Sequence, residues 1–197
     1  MIINLIKLGI KILLKTNCER IIIKRLELLI KNNIFLGEVE HIILEGEKII
    51  YNGLHVDYAK LNGFNLKIDF KRESKFLKIK DFCAEIILYL SQENLRNIIN
   101  NKDSRYSNKI REFAVQNNNI DKISLQNKLI IFHFSKDNNK YKKFFNIIYK
   151  NNHIKLIEIN TNKSLLIPFD KNIIFNSLEL CESFIEVEII SKVRIDN

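Results

Sequence analysis

A single change in the spacing of apolar residues divides this sequence into two parts. Apolar residues recur at helical spacing as far as Lys15, whereas from Ile21 they alternate with polar residues in short, β-branched segments that end at Asn, Gly or charged clusters. The strands predicted in the first half are residues 21–30, 34–44, 48–58, 61–70 and 81–90. A chain that begins with a helix and continues with runs of strands favours an α+β fold.

Two helical segments interrupt the strands near the middle of the chain. Ser91 is a predicted N-cap for the first, because its hydroxyl accepts from the free amides of the turn that follows, and residues 106–115 form the second. Strands then return, separated by Asn-rich turns, and end in a predicted hairpin of residues 173–181 and 184–195. The fold class is therefore predicted to be α+β, with a mainly antiparallel sheet, an N-terminal helix and a central helical pair.

The clearest alternation lies in residues 61–70. Its apolar members, which alternation places on one face of a strand, are Phe64, Leu66, Ile68 and Phe70. In the next strand Ile86 and Leu88 share one side, while apolar residues also occupy the other side. That strand is therefore predicted to be buried on both faces.

The composition indicates one compact domain covering residues 1–197. Of 197 residues 46% are hydrophobic, and a single proline and five glycines leave no segment typical of an interdomain linker. The three cysteines are odd in number and form no CxxC pair, which is typical of reduced thiols in a reducing compartment. A cytoplasmic location is the expectation.

The N-terminal segment, about residues 2–16, is predicted to be an amphipathic helix. Lys7, Lys11 and Lys15 are four residues apart and form one narrow cationic stripe beside a wide apolar arc. The lysines argue against a signal peptide, and the segment is too short and too charged to cross a bilayer. Two interpretations remain: a helix lying in a membrane interface, and a helix packed on a sheet, which the wide arc favours.

The formal charge of +9 favours an anionic partner, either an acidic membrane surface or nucleic acid. Part of this positive charge follows from a composition rich in Ile, Lys and Asn. Residues 140–145, with the sequence KYKKFF, interleave cations with rings that can stack on bases. No recognised RNA- or DNA-binding signature accompanies them, so nucleic acid is the less favoured partner.

Catalytic and metal-binding motifs are not found. The four histidines are scattered without ligand spacing, and there is no nucleophile elbow, phosphate-binding glycine loop or dinucleotide fingerprint. Carboxylates that alternate with apolar residues are usually a solvated face. The sequence therefore predicts a protein that is not an enzyme and that has no metal and no cofactor.

Four stretches carry a family resemblance. They are Asn17-Cys18-Glu19, residues 44–51 (LEGEKIIY), Gly53-Leu54-His55-Val56 and residues 90–99 (LSQENLRNII), and residues 168–195 resemble the closing hairpin of the same family. Together they resemble the LmeA-like phospholipid-binding family, long a domain of unknown function that is common in cyanobacteria. The order of elements, more than any one motif, carries the similarity.

The resemblance implies a curved antiparallel sheet with helices against it, enclosing an apolar groove for acyl chains. The leading hypothesis is a peripheral, non-enzymatic lipid-binding protein, and the alternative is a protein-interaction or scaffold module that docks through the N-terminal helix. The residues expected to line the groove are Phe64, Leu66, Ile68, Phe70, Ile86 and Leu88. The residues expected to meet lipid headgroups are Lys7, Lys11, Lys15, Arg20, Lys24 and Arg25.

Overall fold

A computed structural model describes residues 2–30, 38–70, 77–80, 82–101, 105–115, 118, 120–136, 139–150, 153–167 and 173–193. Within these ranges the helices are α1 (Ile2–Asn17), α2 (Gln92–Asn100) and α3 (Arg105–Ile110), and α3 continues into a π-helical turn, Arg111–Val115. The strands are β1 (Arg20–Ile30), β2 (Glu38–Tyr51), β3 (Leu54–Phe70), β4 (Leu77–Lys80), β5 (Phe82–Ser91), β6 (Ile120–Gln126), β7 (Leu129–Lys136), β8 (Asn139–Lys150), β9 (His153–Glu158), β10 (Ser164–Ile167), β11 (Ile173–Leu180) and β12 (Phe184–Val193).

The described strands form two antiparallel sheets. The first sheet has the order β1-β2-β3-β5-β12-β11, with β4 paired to the end of β3, and the second sheet has the order β10-β9-β8-β7-β6. The predicted α+β class is confirmed, with its N-terminal helix, central helices and closing hairpin β11–β12. Residues 34–37, 81 and 194–195 of the predicted strands lie outside the described residues.

Helix α1 covers one end of the first sheet. Ile6 and Ile10 are 2% and 4% exposed and pack with Val39, Ile42 and Leu66 in what we call the helix cluster. A helix without an acidic residue in its first turn gains nothing there from its dipole, so this burial is its main stabilisation. The interpretation of α1 as a helix packed on a sheet is confirmed.

The second sheet covers the other end of the first sheet. Phe132, Phe134 and Phe145 of the second sheet are at most 1% exposed and pack in one cluster with Ile185 and Val187 of β12. We call this cluster the main core. The ring centroids of Phe132 and Phe145 lie 4.8 Å apart, within the range that favours aromatic pairs.

Both covers lie on the same face of the first sheet. Leu61 on β3 packs in the helix cluster. It is paired with Ile86 on β5, and Ile86 is in turn paired with Ile189 on β12. Residues paired in this way point to the same side of a sheet, and Ile189 packs against the main core. We call this side the inner face.

The alternation predicted for β3 is wrong at Asn65. This residue has a φ of 57°, in the left-handed region that asparagine tolerates. Leu66 is buried in the helix cluster, next to Gly63, whereas Phe64 stacks on His41 with ring centroids 4.8 Å apart. Phe64 and Leu66 therefore lie on opposite faces, because the turn at Asn65 inverts the pleat.

The prediction that β5 is buried on both faces is also wrong. Ala84 is buried on the inner face, but Cys83 and Glu85, which point the other way, are exposed. We call the opposite side of the first sheet the outer face. Cys83 is therefore a surface thiol, and no helix or sheet covers it among the described residues.

The predicted cap of α2 is confirmed. Ser91 has extended backbone angles, and its Oγ accepts from the Asn94 amide at 3.3 Å. The Ser91 amide in turn donates to Oδ2 of Asp57 on β3 at 2.5 Å. This second bond fixes the start of α2 against the first sheet, because a carboxylate is a strong acceptor for a backbone amide.

Two isoleucines two residues apart on α1 test this packing. We expect Ile10→Ala to lower the free energy of unfolding by about 2–5 kcal/mol, since it leaves a cavity in the helix cluster. Ile12→Ala removes the same atoms from a side chain that is 54% exposed, and the expected change is within about 0.5 kcal/mol. Urea denaturation of both variants is the measurement, and equal losses would contradict the described orientation of α1.

Candidate functional site

The side of α1 that faces away from the sheet is also apolar. Leu5, Leu8 and Ile12 are 59%, 54% and 54% exposed, although large apolar side chains are usually buried. Their spacing of three and four residues places them in one row along the helix. We call this row the outward ridge.

Cations flank the outward ridge on one side. Lys11 and Lys15 are exposed and Lys7 is half-buried, and helical geometry places the three between the ridge and the buried side of α1. No ion pair to Lys11 or Lys15 is found within the described part of the chain. An apolar row beside unpaired lysines is the pattern of helices that lie in a membrane interface.

The other three residues expected to meet headgroups lie elsewhere. Lys24 pairs with Glu47 at 2.9 Å, and Arg25 pairs with Glu45 at 3.3 Å and with Glu27 at 2.7 Å. The Arg25 guanidinium holds the pKa of Glu27 below its usual value through this hydrogen bond. Within the described residues Lys24 and Arg25 therefore already have carboxylate partners, unlike Lys11 and Lys15, and their contact with lipid headgroups stays a prediction.

An apolar strip crosses the inner face between the two covers. Leu44, Leu61, Ile86 and Ile189 lie opposite one another on four adjacent strands, and each is only partly buried. Leu61 packs in the helix cluster and Ile189 against the main core. Among the described residues Ile86 belongs to neither cluster, so it marks the gap between them.

The six residues expected to line a groove do not share one surface. Ile86 lies in the apolar strip, and Leu88 is beside it and packs against the main core. Leu66 is 3% exposed under α1, and Phe64 lies on the outer face. The side chains of Ile68 and Phe70 lie outside the described residues.

A small cavity opens where β1, β2 and β3 meet the start of α2. Its volume is about 140 Å³. The residues that line it are Arg20, Lys48, Ile49, Ile50, His55, Val56, Asp57 and Asn94. Arg20, one of the residues expected to meet headgroups, lies here and not beside the outward ridge.

Sequence reasoning missed Leu8 and Lys48. Leu8 lies beside the lysine stripe, and its spacing to Leu5 and Ile12 was the signal that predicts a second apolar face. Lys48 has a φ of 51°, which only the folded backbone reveals.

The outer face carries two stacked tyrosines whose pKa values are raised. Tyr58 and Tyr89 stack with ring centroids 5.4 Å apart. Burial raises the pKa of Tyr58 and Glu45 raises it further, while burial and then Glu186 raise the pKa of Tyr89. A phenol whose pKa is raised is less available as a base at neutral pH. No group of three or more His, Cys, Asp or Glu side chains suited to a metal is found among the described residues.

Two of the three aromatic rings in residues 140–145 pack against other residues of the protein. Tyr141 stacks on Phe134 with ring centroids 5.0 Å apart, and Phe145 is fully buried in the main core. Lys143 Nζ donates to the Ala114 carbonyl at 3.1 Å and lies 3.7 Å from Glu158. These contacts leave Tyr141 and Phe145 little surface for stacking on a base.

The comparisons with known proteins identify no relative. No family model, curated protein or solved structure matches the chain. In addition, no helix among the described residues is both long enough and apolar enough to cross a bilayer. The resemblance to the LmeA-like family therefore stays a prediction.

A row of basic residues on the second sheet makes the stability of the fold depend on pH. Lys122, His133 and Lys142 lie opposite one another, and His133 Nε2 lies 2.8 Å from Ser124 Oγ. Burial lowers the pKa of His133, as do Lys142 and Lys122, while Asp121 opposes them. Below the usual pKa of 6.5 the unfolded chain therefore binds this proton more readily than the folded chain, so stability falls as the pH falls.

We expect His133→Gln to reduce the loss of unfolding free energy between about pH 7.5 and about pH 5.5, because the site no longer titrates. Lys142→Gln should raise the pKa of His133 towards its usual value. An NMR titration of the imidazole checks the second variant, and an unchanged midpoint would contradict the role of Lys142.

Proposed function

We propose that this protein is a non-enzymatic lipid-binding protein that associates with the cytoplasmic face of an acidic membrane. The outward ridge is the observation that carries the proposal. A helix that already buries Ile6 and Ile10 presents three more large apolar side chains to the solvent, with lysines along one side. In this orientation α1 lies flat on a bilayer, with the sheet behind it and its lysines at the headgroups.

The energetics favour a weak and reversible association. Full burial of a Leu or Ile side chain contributes roughly 1.5–3 kcal/mol, and the ridge residues expose about half of their surface, so together they contribute roughly 2–5 kcal/mol. Each lysine near an anionic surface adds about 1 kcal/mol. Neither contribution suffices alone, because stable anchoring usually needs two signals. We therefore propose a membrane rich in acidic lipid.

The apolar strip supports a second part of the proposal, the binding of acyl chains. Ile86 is partly exposed between the two covers, and the partly exposed Leu61 and Leu44 continue the strip on the side of α1. A chain laid on this floor gains about 0.8 kcal/mol for each CH₂ that leaves water. The two covers pack in separate clusters, so the strip borders both of them.

A protein partner is the alternative occupant of the outward ridge. Leu5, Leu8 and Ile12 are spaced like the anchors of a helix that fits an apolar groove on another protein. Native mass spectrometry of the purified protein separates the two cases. Phospholipid that co-purifies supports the lipid proposal, and a stoichiometric protein supports the alternative.

Replacing the outward ridge tests membrane association. We expect Leu5→Gln/Leu8→Gln/Ile12→Gln to lower partitioning onto vesicles of phosphatidylcholine and phosphatidylglycerol at least about tenfold, because the apolar contribution is lost. Co-flotation with vesicles is the measurement. The matched control is Ile148→Gln/Leu166→Gln/Ile174→Gln, three side chains that are 38%, 53% and 45% exposed on other elements. Equal losses in both variants would contradict a specific role for α1.

Reversing the lysine charges tests the need for acidic lipid. Lys7→Glu/Lys11→Glu/Lys15→Glu should weaken association with acidic vesicles at least about a hundredfold, because three attractive contributions of about 1 kcal/mol each are replaced by repulsive ones. Lys140→Glu/Lys155→Glu/Lys163→Glu makes the same change of net charge at three exposed lysines of the second sheet and its turn. If the folded, unchanged protein binds neither neutral nor acidic vesicles, the proposal is refuted.

A further inference from the structure

The cavity beside Arg20 contains cations without partners. Arg20 and Lys48 both line it, and neither forms an ion pair with a carboxylate in the described part of the chain. The next two cations of β1, Lys24 and Arg25, are each held by a glutamate. Arg20 and Lys48 therefore differ from Lys24 and Arg25 in having no carboxylate partner among the described residues.

The register of the strands brings the polar side chains of the cavity together. Arg20 lies opposite Ile50, and Ile50 lies opposite His55 on the other side. Arg20 and His55 consequently flank Ile50 on one face, about 10 Å apart at the backbone. Asp57, two residues beyond His55 on β3, also lines the cavity.

The carboxylate of Asp57 is already occupied. Its Oδ2 accepts from the Ser91 amide at 2.5 Å, an interaction that fixes the start of α2. Two cations and one carboxylate leave one net positive charge around the cavity, with the side chains of His55 and Asn94 as further polar groups. This balance suits an anion that carries a single negative charge.

The backbone at Lys48 is strained. Its φ of 51° lies in the left-handed region, where a side chain with a Cβ costs about 1 kcal/mol relative to glycine. Turns also contain such residues, as at Lys128, but strained residues cluster at functional sites, so this one marks a candidate site where other groups converge. Here it occurs on a lysine that lines a cavity with a second free cation.

We propose that this cavity binds a monoanionic phosphate group of the phosphodiester class. Arg20 donates a forked pair of hydrogen bonds to two phosphate oxygens, and Lys48, on the adjacent strand, contributes a point charge. If the function proposed above holds, the source is a phospholipid headgroup, and Arg20 follows the end of α1 by three residues. A soluble phosphodiester has the same chemistry and is the other source.

Calorimetric titration in the absence of vesicles tests the proposal. The probes are dimethyl phosphate, a soluble phosphodiester, and dihexanoyl phosphatidylglycerol below its micellar concentration. We expect Arg20→Gln and Lys48→Gly each to weaken binding of the tighter probe about tenfold or more, because each removes a charge-assisted contact.

Lys128→Gly is the matched control. Lys128 is an exposed lysine with a φ of 61° in the turn between β6 and β7, far from the cavity in sequence. Both glycine variants relieve left-handed strain, so each should unfold at the same or a higher urea concentration than the unchanged protein. Loss of binding in Lys48→Gly alone is thus separated from loss of folding.

The two probes separate the sources. Phosphatidylglycerol that binds at least about tenfold more tightly than dimethyl phosphate indicates a lipid headgroup whose chains add apolar contact. Equal affinities indicate a soluble phosphodiester and support the cavity site without the lipid source. The proposal is overturned if neither probe binds. It is also overturned if Arg20→Gln, Lys48→Gly and Lys128→Gly all bind the tighter probe equally well. Neither result depends on vesicle association through the outward ridge.

Discussion

The inner face of the first sheet is apolar along its whole width, and this face must be removed from water. No single one of the described elements covers it: α1 packs over the strands at one end, and the second sheet packs over the strands at the other. Two separate hydrophobic clusters result. The position of α1, the gap at Ile86 and the exposure of the outward ridge all follow from this division, because α1 has to lie flat on the sheet to seal its end.

A helix used in this way has one buried side, yet α1 is apolar on two. Ile6 and Ile10 are almost fully buried in the fold, while Leu5, Leu8 and Ile12 leave more than half of their surface in water. Exposed apolar side chains lower solubility and favour association, so a row of three on one helix is unusual for a protein that meets only water. The ridge and the lysines beside it are better explained by a surface that the protein meets in use than by the requirements of folding.

Much of the fold was predictable from local sequence signals. Ser91 identified the start of α2, and the order of elements identified the class. Alternation identified most strand segments but not all their bounds, since predicted strand 48–58 contains the turn at Asn52 and Gly53 and β3 runs unbroken from Leu54 to Phe70. The faces of β3 were not predictable, because period-two reasoning assumes a regular pleat and a single left-handed residue, Asn65, inverts it. The lysine stripe was predictable from spacing. The partners of Lys24 and Arg25 were not, since Glu47 and Glu45 lie on the next strand, and neither was the cavity, which needs three strands and a helix in register.

The irregular pairing of β1 has a consequence for the behaviour of many copies at once. β1 is an edge strand of the first sheet, and its register with β2 shifts between Ile23 and Arg25. An edge that is bent by a bulge and carries adjacent charges is a poor template for a strand from another molecule. Copies crowded side by side are thereby hindered from pairing through this edge into one continuous sheet.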